Sequence, residues 1–150
     1  MPPESGLTAI AHVIQLAVAP VFLLSDVGAL LAVFTSRLAR IIDRARALET
    51  VLASAAEPKL VEIEAELATL SHRSRLINRA ISLVTISALL VCAVIAALFF
   101  GVFFSLDVST LVGLAFIAAM LVLIGGLLAF LQEVHVAIRM QRSGLTPRKR

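Results

Sequence analysis

Hydrophobic positions along this chain gather into three long blocks. The first runs from Leu7 to Phe34 and is interrupted by His12, Gln15, Ser25 and Asp26. The second, Ala80 to Phe104, contains no ionisable side chain except Cys92, and the third, Val108 to Leu131, contains none. A membrane-spanning helix needs roughly 20 predominantly apolar residues, so each block predicts one span. Spans two and three are linked only by Ser105-Leu106-Asp107, which predicts a tight helical turn. Spans one and two are separated by the 43 residues from Arg37 to Arg79.

That long connection has its own pattern. Leu38, Ile41, Ala45, Leu48 and Leu52 alternate at spacings of three and four, as do Leu60, Ile63, Leu67, Leu70, Ser74 and Ile77. This is a heptad seam. Between the halves lies Ser54-Ala55-Ala56-Glu57-Pro58, with Pro58 suited to the first turn of a helix. A break so short makes the two arms antiparallel neighbours, and each arm prolongs its span. The expected fold is an all-α membrane protein of three transmembrane helices, with a cytoplasmic antiparallel helical hairpin between the first and second. Its segments are a short extracytoplasmic N-terminus (1–7), span one (8–36), the hairpin (37–79), span two (80–104), a turn (105–107), span three (108–131) and a basic tail (132–150).

Composition agrees with this pattern and excludes its competitors. Hydrophobic residues make up 60% of the 150 and charged residues 15%, with a mean hydropathy of +1.02. A chain this short has no core large enough to bury that much apolar surface, and disorder requires the opposite composition. The net charge is only +3, but its distribution is informative. All 13 basic residues lie between Arg37 and Arg79 or beyond the third span. The positive-inside rule makes those two segments cytoplasmic. The N-terminus and the 105–107 turn then face outward. No basic residue precedes the first block, so it does not read as a cleavable signal peptide. The lone Cys92 excludes an intramolecular disulfide framework and a cysteine-rich zinc site.

Candidate chemistry is sparse. Asp26 lies 11 residues before Arg37, about 16 Å along a helix and so near the middle of a hydrocarbon layer about 30 Å thick. A charge there costs at least ~2.5 kcal/mol, so Asp26 is expected to be protonated, paired or facing water. Ser87 is at comparable depth and offers it a hydrogen bond, and Gly125-Gly126 leave room for close approach. Pro20 removes a donor and is expected to kink span one. Three roles stand open for Asp26: a neutral structural acid, a contact between protomers, or a proton or ion site. The last needs a ring of copies, because apart from Cys92 no other span supplies an ionisable partner.

At the cytoplasmic boundary, the basic residues form a collar suited to anionic headgroups, each worth about 1 kcal/mol near an anionic surface. Asp43 is three residues from both Arg40 and Arg46 and can pair with either. Glu133 stands at about the level of Arg37 and Arg79, where a salt bridge would tie the three helix ends together. Small residues at Ala93, Ala97 and Gly101, and at Ala115 and Ala119, favour close helix packing. No phosphate loop, catalytic carboxylate pair, nucleophile motif or zinc helix is present, and His12, His72 and His135 are scattered. The chain therefore reads as a non-enzyme with no cofactor and no metal. The base-reading and stacking residues that nucleic acid would need are missing as well.

Two stretches resemble a known family. Ala19-Pro20-Val21-Phe22-Leu23-Leu24, Gly28-Ala29-Leu30-Leu31 and Thr35-Ser36-Arg37-Leu38-Ala39-Arg40-Ile41-Ile42-Asp43-Arg44-Ala45-Arg46 form the first. Arg73 to Ile81, followed by Ser87-Ala88-Leu89-Leu90-Val91-Cys92, forms the second. Together they are similar to a small bacterial membrane-protein family, domain of unknown function 2721, over about Ile14 to Val136. Arg37 to Arg44 is the most specific part. The resemblance implies a bacterial membrane protein with no assigned activity; the location expected for this chain is the inner membrane. Its motifs concentrate on a junction collar of Arg37, Arg40, Asp43, Arg44, Arg75, Asn78 and Arg79. The sequence thus predicts a structural or interaction protein in contact with the bilayer and its anionic headgroups, self-associating as a homo-oligomer. The competing reading is a small homo-oligomeric channel or transporter that uses Asp26.

Overall fold

The computed structural model describes residues 4–54, 56, 59–104 and 106–143. Three α-helices account for nearly all of them: α1 (Glu4–Leu52), α2 (Lys59–Phe104) and α3 (Ser109–Ser143). All three are long and apolar enough to cross a membrane. Their most apolar 18-residue windows have mean hydropathies of 2.2, 2.8 and 2.8, yet only 17%, 22% and 11% of these windows is buried. Apolar surface left uncovered on that scale fits hydrocarbon as the surrounding solvent.

Each helix packs through a heptad row. On α1 a covered row comprises Val13, Ala17, Pro20, Leu24, Val27, Leu31, Phe34, Leu38, Ile41, Ala45, Leu48 and Leu52, alternating at three and four. The row anticipated for the connection is therefore the end of one that runs nearly the whole helix. Span and arm share one unbroken element because nothing in the seam changes period between them. The helix also continues through Pro20, which is buried on the seam. A proline inside a helix leaves the carbonyl four residues earlier without its backbone donor, here that of Leu16. On α2 the row runs from Ile63 through Leu70, Ile77 and Val84 to Val91. A second covered row on α2 comprises Arg73, Leu76, Ala80, Ser87 and Val94.

The chain forms two compact units. One comprises α1 up to Leu31, α2 from Leu83 and α3 up to Ile124. Within it, Ser87 is fully buried and its hydroxyl donates to the carbonyl of Ala119 at 2.8 Å. This corrects the expected hydrogen bond to Asp26, which is exposed on α1. Ser87 lies on the second row of α2, where α3 offers a backbone acceptor beside the small, wholly buried Ala119. The small-residue stripe on α2 is not one buried face, since Gly101 is buried but Ala93 is exposed. Gly101 serves the turn instead. The Leu106 N–H donates to its carbonyl at 3.0 Å, and a Cβ there would come within 2.5 Å of Val108 Cγ2. Asp107 then starts α3 by accepting from the Ser109 N–H at 3.2 Å and the Ser109 hydroxyl at 2.6 Å. These bonds hold the Asp107 carboxyl below the usual carboxylate range.

The other unit comprises α1 from Ala32, α2 up to Ser82 and α3 from Gly125. Here the two arms pair along their seams, with Ile41, Leu48, Ile63, Leu70 and Ile77 buried. The connecting residues Ala55, Glu57 and Pro58 lie outside the described residues, as do Ser105 and residues 144–150, and the helix start assigned to Pro58 falls among them. The segment treated as a tail from residue 132 begins as helix, because α3 continues to Ser143. Gly126, Phe130, Glu133 and Ala137 keep the heptad spacing and are covered, so the helix has a reason to persist past its apolar stretch.

Candidate functional site: a buried carboxylate among arginines

The second unit contains the most elaborate polar cluster among the described residues. Glu133 is on α3 with 0% of its surface exposed. One carboxylate oxygen, Oε1, accepts from Arg73 Nη2 at 2.7 Å and from Arg73 Nε at 3.1 Å. The other, Oε2, accepts from Arg37 Nη1 at 3.3 Å. One residue from each helix thus meets at a single carboxylate. A buried carboxylate is tolerable only with charge-assisted partners of this kind, and no buried side-chain polar atom among the described residues lacks a partner.

Aromatic packing supports the cluster. Phe34 of α1 stacks on Phe130 of α3 with ring centroids 4.2 Å apart and planes 20° from parallel. The Arg37 guanidinium carbon lies 5.2 Å from the Phe130 ring centroid, within cation–π range. Phe34 and Arg37 are three apart on α1, and Phe130 and Glu133 three apart on α3. The same turn of each helix therefore supplies one ring and one charge. Arg44 makes a separate ion pair with Glu66 across the arms, at 2.9 Å.

The cluster borders a cleft of about 240 Å³ whose charged lining is Arg37, Arg40, Arg44, Arg73 and Glu133. Of the expected collar, Arg37, Arg40 and Arg44 come together here, whereas Asp43, Arg75, Asn78 and Arg79 are exposed elsewhere on their helices. Asp43 makes no ion pair with Arg40 or Arg46 among the described residues, consistent with how little an exposed pair gains. For Glu133, the level matching that suggested Arg79 is corrected to Arg73. Arg79 projects from the exposed side of α2, whereas Arg73 begins its second covered row. Sequence reasoning missed Arg73 as a site residue. The signal was that row: Arg73, Leu76, Ala80 and Ser87 at spacings of three, four and seven.

In the first unit, the polar residues of α1 share an uncovered side. His12, Gln15, Ala19, Phe22, Asp26 and Ala29 alternate at three and four, and every one is exposed. Phe99, Phe100, Phe103 and Phe104 line an apolar groove of about 410 Å³ with Ala96. No group of three or more potential metal-binding side chains occurs among the described residues.

Three helices long and apolar enough to cross a membrane suggest a multi-pass membrane protein. The chain matches, over residues 17–143, the family described as Protein of unknown function (DUF2721), and it belongs to that family. No curated protein and no solved structure matches it.

Proposed function

We propose that this is a non-enzymatic protein of the bacterial inner membrane. Its three spans would hold a basic collar against the anionic headgroups of the cytoplasmic leaflet, and it would act as a structural or interaction protein. The observation that carries this reading is the buried Glu133, which gathers Arg37 and Arg73 from two other helices. A charge cluster built in this way holds its arginines in place rather than leaving them on free side chains. The complete segregation of basic residues supports an orientation with the N-terminus and the 105–107 turn outside and the arms and C-terminus in the cytoplasm.

Self-association belongs to the same proposal. Asp26, Gln15 and His12 share one exposed heptad row on an apolar helix. Polar groups facing lipid are costly, and a second copy presenting the same row would cover them. That row also favours the second reading, an oligomeric channel or transporter in which Asp26 faces a pore. Reconstitution into liposomes separates the two. The structural reading expects no proton or ion flux above empty vesicles and no effect of Asp26→Asn. Flux that Asp26→Asn abolishes would establish the channel reading in its place. Native mass spectrometry that finds only monomers would remove self-association and the channel together.

A further inference from the structure

We infer that the cleft beside Glu133 is a binding site for a single phosphate group, presented either on a lipid headgroup or as a free ion. The inference rests on the collar reading above and narrows it to one place. Four guanidiniums, those of Arg37, Arg40, Arg44 and Arg73, line this cleft. Two carboxylates accompany them: Glu133, held by Arg37 and Arg73, and Glu66, held by Arg44. The cluster therefore carries an excess of positive charge, and Arg40 has no ion-pair partner among the described residues.

The arginines also retain donors. A guanidinium has five N–H groups. Arg73 gives two to Glu133 and Arg37 gives one, so both keep N–H groups for a further acceptor. Arginine's planar fork matches phosphate oxygens, and a pair of such forks can bind one group from two sides. Glu133 and the Phe130 ring already restrain Arg37, and Glu133 restrains Arg73, which lowers the ordering cost of binding. At about 240 Å³, the space is smaller than the roughly 300–1,000 Å³ typical of sites for drug-sized molecules. It suits one phosphate rather than a nucleotide. Membrane orientation needs only positive charge on the correct side, which Arg46, Arg75 and Arg79 provide outside this cleft. It does not require four arginines around one opening with a carboxylate buried behind them.

The test uses the full chain in a neutral detergent, titrated separately with phosphatidylglycerol, phosphatidylcholine and inorganic phosphate at constant ionic strength. Binding is read by native mass spectrometry and by the thermal midpoint of helical circular dichroism. Arg40→Gln removes an exposed, unpaired charge and should leave the helices intact. It should weaken phosphatidylglycerol or phosphate binding by roughly tenfold, the loss expected for a charge-assisted contact. Arg46→Gln and Arg79→Gln remove the same charge outside the cleft and should change binding less than about twofold. Saturation by inorganic phosphate would identify a free ion, and saturation by phosphatidylglycerol alone a lipid headgroup. Equal losses for all three variants would overturn the site and leave a diffuse collar. Phosphatidylcholine carries the same phosphodiester but with a choline cation beside it, so failure of the wild type to prefer phosphatidylglycerol or inorganic phosphate, the net anionic ligands, over it would overturn both.

Discussion

Glu133 shows how much one residue's surroundings decide. In the sequence it is the first charge after a long apolar run, a position where acids are ordinarily solvated. In the folded chain it is wholly buried and takes three hydrogen bonds from two arginines. Removing its charge leaves Arg37 and Arg73 facing one another without a counter-ion. Their side chains are 43% and 22% exposed, so water softens the penalty. Glu133→Gln is expected to cost about 2 kcal/mol, seen as a lowered thermal midpoint in detergent. Restoring that midpoint by combining it with Arg73→Met would show that the uncompensated charge was responsible. The presence of this acid and its rough level were legible in the sequence. Its partner was not, because counting residues gives height along a helix but not which side of a neighbouring helix faces it.

Between residues and the whole chain, the elements follow the heptad row. The row in the arms was readable because charged residues surround it and make the apolar positions stand out. Within the long apolar stretches the same row is hidden, since apolar residues occupy both the covered and the uncovered sides. The turn between α2 and α3 was legible from its length, but its need for Gly101 was not. Gly101→Ala is expected to destabilise the hairpin by about 1–3 kcal/mol, because the added methyl meets Val108 Cγ2 at 2.5 Å. The double variant Gly101→Ala with Val108→Ala should recover part of that loss. Thermal melts of the single and double variants decide the matter, and a Gly101→Ala protein as stable as wild type would refute the assigned role.

For the whole molecule, the testable property is its orientation in the membrane. In a Cys92→Ser background, a membrane-impermeant maleimide applied to intact cells should label Asp107→Cys. It should label Glu49→Cys only after permeabilisation. The reverse pattern would invert the proposed topology and move the arginine cleft to the outer face.

The number of helices long and apolar enough to cross a membrane, the pairing of the arms and the proposed orientation all followed from the sequence alone. Each depends on a one-dimensional property: the length of an apolar run, a repeat period, or the side of the membrane on which basic residues accumulate. The tertiary structure decided what depends on rotation about the helix axes. It buried Ser87 against the Ala119 carbonyl and left Asp26 exposed. It carried α3 past its apolar run and placed Arg73, not Arg79, against Glu133. Rotation is set by how side chains from several helices interlock, and that information is shared among distant segments of the chain.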